Sequence, residues 1–290
     1  MTLRLALITG SLLVAVPAAA QTVTIENFVG SLDIREGSRM EIEGAPDVSY
    51  SGGDALIDGD MKLRNVSCYS RNGGEPTIKI GRTKKKLSEY PSLAVTLPSD
   101  GALVIRDSLI YGQASDLGEA DIALPSCGRL ELSDVSGLLR VRVSGSADVS
   151  AGGVGEADLA TSGSGDFAVG RVDGKASLRT TGSGDYEIGR IGNGMDFRST
   201  GSGDIEIDEV NGEVSITTTG SGDVQIKRGD VTTMTVRTTG SGDVLAGADV
   251  GDLNAVTTGS GDVSVARHSG KIKATKTGSG DIRVGDIEID

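Results

Sequence analysis

Tryptophan is absent from this 290-residue chain, and phenylalanine occurs three times. A core built from so few aromatics is narrow, with no room for large side chains. One histidine, His268, leaves a catalytic triad without its base and a His-based metal site without a second ligand. Two cysteines are too few for a disulfide scaffold. Basic residues are outnumbered, 28 Lys and Arg against 41 Asp and Glu, for a net charge of −13. That balance argues against nucleic acid and anionic membrane surfaces as partners. No apolar run after residue 20 approaches membrane length, so no transmembrane segment is expected in the mature chain.

What the chain has in plenty is glycine, 44 residues of it, and the glycine is ordered. Gly-Ser-Gly-Asp starts at Gly163, Gly182, Gly201, Gly220, Gly240, Gly259 and Gly278, at spacings of 19, 19, 19, 20, 19 and 19. A fixed period near twenty is the signature of stacked repeats. In GSGDIEIDEVNGEVSITTT (201–219), Ile205 and Ile207 alternate with polar residues, Asn211-Gly212 supplies a turn, and Val214 and Ile216 alternate again. Each repeat is therefore one circuit with at least two short strands. The sequence predicts an all-β, single-stranded parallel β-helix (solenoid) of ~19-residue coils, each adding ~4.8 Å along the axis. The extra residue of the 20-residue copy falls just before Met234 and predicts a bulge or a longer turn.

Three regions follow. Residues 1–20, MTLRLALITGSLLVAVPAAA, read as a secretory signal peptide, which implies export. Residues 21–120 have a looser beat and read as an irregular β region capping the solenoid. In it, RTKKKLSEYP (82–91) reads as an exposed loop with a solvated charge run. Residues 121–290 form the regular β-helix, whose first corners are Ser126-Cys127-Gly128-Arg129 and Gly145-Ser146-Ala147-Asp148.

The motif suits a corner. Glycine takes the tight turn without strain, while Ser and Asp offer oxygens to unpaired backbone N–H groups. Asp166, Asp185, Asp204, Asp223, Asp243, Asp262 and Asp281 would then stand in line, adjacent charges repelling by about 0.9 kcal/mol in bulk water. A charge-assisted hydrogen bond of about 1.5–3 kcal/mol offsets that. The alternative is a calcium ladder on the same seven carboxylates, as in repeats-in-toxin proteins, whose nine-residue unit differs from this one.

GSGD repeats behind a signal peptide, with ENFVGSLDI from Glu26, resemble the auto-transporter adhesin head GIN domain family of bacterial envelope proteins. The resemblance implies a right-handed β-helix, located in the periplasm or at the cell surface, with an adhesive role; it carries over no catalytic or binding residues, and no cofactor is expected. The residues agree: coils of near-constant length leave no loops to wall a catalytic groove. A polysaccharide-acting enzyme, confined to the N-terminal third, is the competing reading. For a ligand, outward positions stack Arg179, Arg198 and Arg237 in one row, and Arg171, Arg190, Glu209, Arg228, Ala248, Arg267 and Asp286 in another. Such rows could meet an anionic glycan or another envelope component, although ordinary surface charge balance explains them too.

His268 sits in the row of Val172, Ile191, Val210 and Ile287 and reads as a packed corner residue. Export would place Cys68 and Cys127 in an oxidising compartment, so a disulfide between them is expected. Asp286-Ile287-Glu288-Ile289-Asp290 reads as an open edge strand with apolar residues inward and acidic ones outward. Such an edge deters pairing, so a monomer is expected.

Overall fold

The computed structural model describes residues 21–70 and 74–289; the expected leader lies outside them, as does Asp290. The sequence folds as an all-β solenoid of about ten coils of ~19 residues, with parallel strands stacked along its axis. Two columns run its length. One passes through the residues after each Asp: Phe167, Tyr186, Ile205, Val224, Val244, Val263 and Ile282 are consecutive partners. The other pairs Ala176, Met195, Val214, Met234, Leu253 and Ile272. Alternation sends every second side chain inward, so like positions stack into one continuous apolar core. Contrary to the expectation of a core with no room for large side chains, Phe167, Tyr186 and Phe197 are buried in it, the first two ring centroids 5.0 Å apart and the last two 6.2 Å. The longer coil takes up its extra residue where the register slips opposite Gly212 and Glu213, leaving Thr232 unpaired between Val231 and Thr233.

Regular stacking does not begin near residue 120. Thr22–Glu26 and Val29–Glu36 already form a coil, paired with Ala102–Arg106 and Leu109–Ala114. The latter pair in turn with Glu119–Leu124 and Cys127–Leu132, so the stack is unbroken across the expected boundary. These coils escape a search for GSGD because their corners use other chemistry. Asn27 and Asp107 turn the chain with φ of 52° and 45°, a region that Asn and Asp tolerate. The buried Ser108 hydroxyl accepts from the Phe28 amide at 3.1 Å and donates to the Arg106 carbonyl at 2.7 Å.

The irregular part is the excursion between residues 37 and 101. It returns Asp54–Asp58 and Ser92–Leu97 to pair with the first coil, covering the N-terminal end of the core. Between these strands lies a separate antiparallel sheet of Val66–Tyr69, Thr77–Ile80 and Thr83–Lys86. The basic run around Lys84 is thus a strand, followed by a 3-10 turn at Leu87–Glu89, rather than a loop.

At the other end the chain reverses. Gly285, at φ 58°, lets Ile287–Ile289 fold back antiparallel on Ile282–Val284. Ile287 consequently leaves the inward row and is 52% exposed, so Ile287–Ile289 is a hairpin arm rather than the start of another coil.

Candidate functional site

The seven motif aspartates form a hydrogen-bonded ladder. The Asp185 amide donates to Asp166 Oδ1 at 3.0 Å, and each later Asp amide donates to the preceding Asp Oδ1 at 2.8 Å, up to Asp281. Asp148, in the degenerate corner, starts the series by accepting from Asp166 at 3.3 Å. The carboxylates therefore tie one coil to the next. Asp281, the last rung, instead meets Lys276 Nζ at 3.3 Å and Arg283 Nη2 at 3.0 Å. Among the described residues, no group of three or more His, Cys, Asp or Glu is placed to hold a metal ion.

The rest of the motif works through backbone. Ser183 donates its amide to the Gly163 carbonyl at 2.9 Å, and Ser202 to that of Gly182 at 3.0 Å, so the coil-to-coil ladder runs round the corner without the exposed serine side chains. The hydroxyls that do serve the corner lie two residues before the motif. Buried Thr161, Thr180 and Ser199 accept from the amides of Gly163, Gly182 and Gly201 at 3.2–3.3 Å. Close approach rather than dihedral freedom selects most motif glycines. A Cβ on Gly184 or Gly203 would overlap the carbonyl oxygen of the matching glycine one coil away, although neither glycine has positive φ.

The arginine rows are largely engaged with the protein's own carboxylates. Asp158 accepts from Arg142 at 3.0 Å, Arg179 at 2.9 Å and Arg140 at 3.4 Å. Burial opposes its charge, but those guanidinium groups outweigh it and hold the Asp158 pKa below the usual carboxylate range. Arg198 meets Asp196 at 3.1 Å. Thr217 separates Arg198 from Arg237, so the three expected ligand arginines do not form one patch. Arg179 does line a shallow groove of about 390 Å³ with Arg142, Leu124 and Thr161. In the second row, Glu209 is clamped between Arg190 at 3.3 Å and Arg228 at 3.2 Å, and Arg267 pairs with Asp249. Ala248 is buried, not outward, because the register slips between Ala246 and Asp249. His268 takes the corner row opposite Val250 and is half-buried.

Sequence reasoning missed two features. The first is the partner of Tyr186, an expected inward residue, whose hydroxyl donates to the Arg179 carbonyl at 2.5 Å while burial pushes its pKa well above the ordinary value. The second is a satellite apolar cluster, where Val29, Leu109 and Cys127 of the solenoid meet Ile78 of the small sheet. Cys68 and Cys127 are bonded there, with Cα atoms 6.1 Å apart. The outward apolar residues Val29 and Leu109 were the available signal.

No helix among the described residues is long and apolar enough to cross a membrane. A family model described as "Putative auto-transporter adhesin, head GIN domain" matches residues 64–227 and again residues 176–286. No curated protein and no solved structure gives a match.

Proposed function

The chain belongs to the auto-transporter adhesin head GIN domain family, and from that premise we propose that it is an exported, non-catalytic β-solenoid of the cell envelope that binds through its surface. The family description supplies the adhesin-like, surface-associated character. One observation carries the rest: the most numerous aligned acidic groups in the molecule, the aspartate ladder, are spent on backbone amides of the neighbouring coil. Catalysis by paired carboxylates needs groups held at split pKa values around a substrate, not groups repeated identically at each coil. The pairing of Arg142 and Arg179 with Asp158 likewise favours a protein-stabilising role for that row.

The ligand in this reading is an anionic glycan or a similar envelope polymer. Incubating the protein with immobilised acidic and neutral polysaccharides, with and without chelator, tests it. Retention of the protein on an acidic polymer with no new chain ends is the expected result. Release of shortened polysaccharide would replace the reading with an enzyme, and no retention on any polymer would remove the binding role.

A further inference from the structure

The small antiparallel sheet carries a charge that the rest of the molecule does not share. Residues 62–86 hold eight Lys and Arg and one Glu, a net +7, so the remainder of the chain carries −13 − 7 = −20. The register puts three of the sheet's four lysines on one face; Lys85, opposite Ile78, lies on the other, its Nζ 5.6 Å from the Tyr90 ring centre. Val66, Cys68, Ile78 and Ile80 point toward the solenoid, where they pack with Val29 and Leu109. Tyr69, Lys79, Lys84 and Lys86 share the opposite, solvent-facing side. Lys79 stands directly across from Lys84, their Cβ atoms roughly 5 Å apart by strand geometry, and Lys86 lies about 7 Å further along. Lys84 Nζ sits 4.7 Å from the Tyr69 ring centre, and Tyr69 itself is 44% exposed. Lys86 has only a distant partner, Glu75 at 3.9 Å; among the described residues Lys79 and Lys84 have no carboxylate within 4 Å.

Lysines on an edge strand are a common guard against strand pairing, which accounts for Lys84 and Lys86 on Thr83–Lys86. That guard does not account for Lys79, which lies on the central strand, or for an exposed tyrosine beside it. Like charges facing each other across strands cost stability, so the fold gains nothing from their juxtaposition. The face is also held rigidly: the Cys68–Cys127 bond and the satellite apolar cluster fix the sheet to the solenoid.

We propose that the face formed by Tyr69, Lys79, Lys84 and Lys86 is a docking surface for a polyanionic polysaccharide, with its repeated carboxylate or phosphate groups on the lysines and a sugar ring against Tyr69. This deepens the binding reading above and rests on it. Lysine gives hydrated point charges rather than bidentate forks, which suits a flexible polymer of regular charge and makes binding steeply salt-dependent. A glycan fits better than nucleic acid. The platform is short and flat, with no helix to enter a groove, and the −20 of the remaining chain repels a polymer as densely charged as a duplex.

The test compares polygalacturonate, polyglycerol phosphate, neutral dextran and double-stranded DNA as probes for the whole protein. Lys79→Gln/Lys84→Gln/Lys86→Gln should weaken binding to at least one anionic glycan by roughly tenfold at low salt and flatten its salt dependence. The corresponding Lys→Arg triple should restore it. A control that removes the same charge elsewhere, Lys175→Gln/Lys271→Gln/Lys273→Gln, should bind as the parent does. All four proteins should melt within a few degrees of one another. If the parent holds an anionic glycan and the first triple holds it equally well, the face is wrong while the binding reading stands. If DNA binds more tightly than both glycans, the partner class is wrong. If the parent binds no glycan, the underlying reading falls with it.

Discussion

The amide of Asp204 donates to Oδ1 of Asp185, one coil away, at 2.8 Å, and Asp204 Oδ1 in turn accepts from Asp223 at 2.8 Å. What this chain of bonds needs from each side chain is an acceptor oxygen, not a charge. Asp204→Asn keeps the oxygen and removes repulsion from two neighbours, so its melting temperature should equal or exceed the parent's. Asp204→Ala leaves the Asp223 amide to solvent and should cost about 0.5–1.5 kcal/mol. Chelator should leave the melting temperatures of both unchanged. An Asn variant that melts as far below the parent as the Ala variant would show that the negative charge is required, as a cation ladder would demand.

Gly203 is buried against the carbonyl of Gly184. Alanine there must push apart two coils already joined on either side of the corner, and core overpacking of this kind costs about 1–3 kcal/mol. Its neighbour Ser202 is exposed, so Ser202→Ala should stay within about 0.5 kcal/mol. Denaturant melts of the two variants decide the matter: equal midpoints would mean that the corner can relax outward.

Asp158 gives the molecule an acid-sensitive joint. Its pKa is lower folded than unfolded, so the stability it contributes is present above the ordinary carboxylate pKa and is lost as pH falls through the folded value. Asp158→Asn should therefore destabilise the protein at pH 7, where Arg140, Arg142 and Arg179 lose their shared partner. The difference from the parent should shrink below pH 4. Melting curves across that range test the sign; a gap that widens on acidification would contradict it.

The repeat period, the inward rows and the bulge near Met234 were legible in the sequence because a solenoid places like residues on like positions. Ile205 is a guide to Val224 in a way no globular fold allows. The first coils were not legible, since Asn27 and Asp107 turn corners by their own backbone tolerance and leave no repeated word to find. Ile287 looked inward only while Gly285 was assumed to continue a coil; its left-handed φ sends the strand back instead. For the motif itself, sequence showed that glycine was needed but not why. The reason is the distance to the next coil, which no single repeat contains. The hidden face of the small sheet was only half legible: outward Val29 and Leu109 signalled a cover, but Ile78, which supplies it, is far from both in the chain.

The unpaired Thr232 has a consequence for how such a molecule changes over generations. A coil of 20 residues sits between coils of 19 with the ladder restored by Glu213 and Thr233, so one added residue stays local. Partners in the stack are about 19 residues apart, and each coil touches chiefly its two neighbours. A duplicated or deleted coil would alter the length by ~4.8 Å and leave every other contact in place. The capped N-terminal end and its lysine platform could thus be carried at different reaches by the same architecture, with length varying freely while the core's cross-section stays constant.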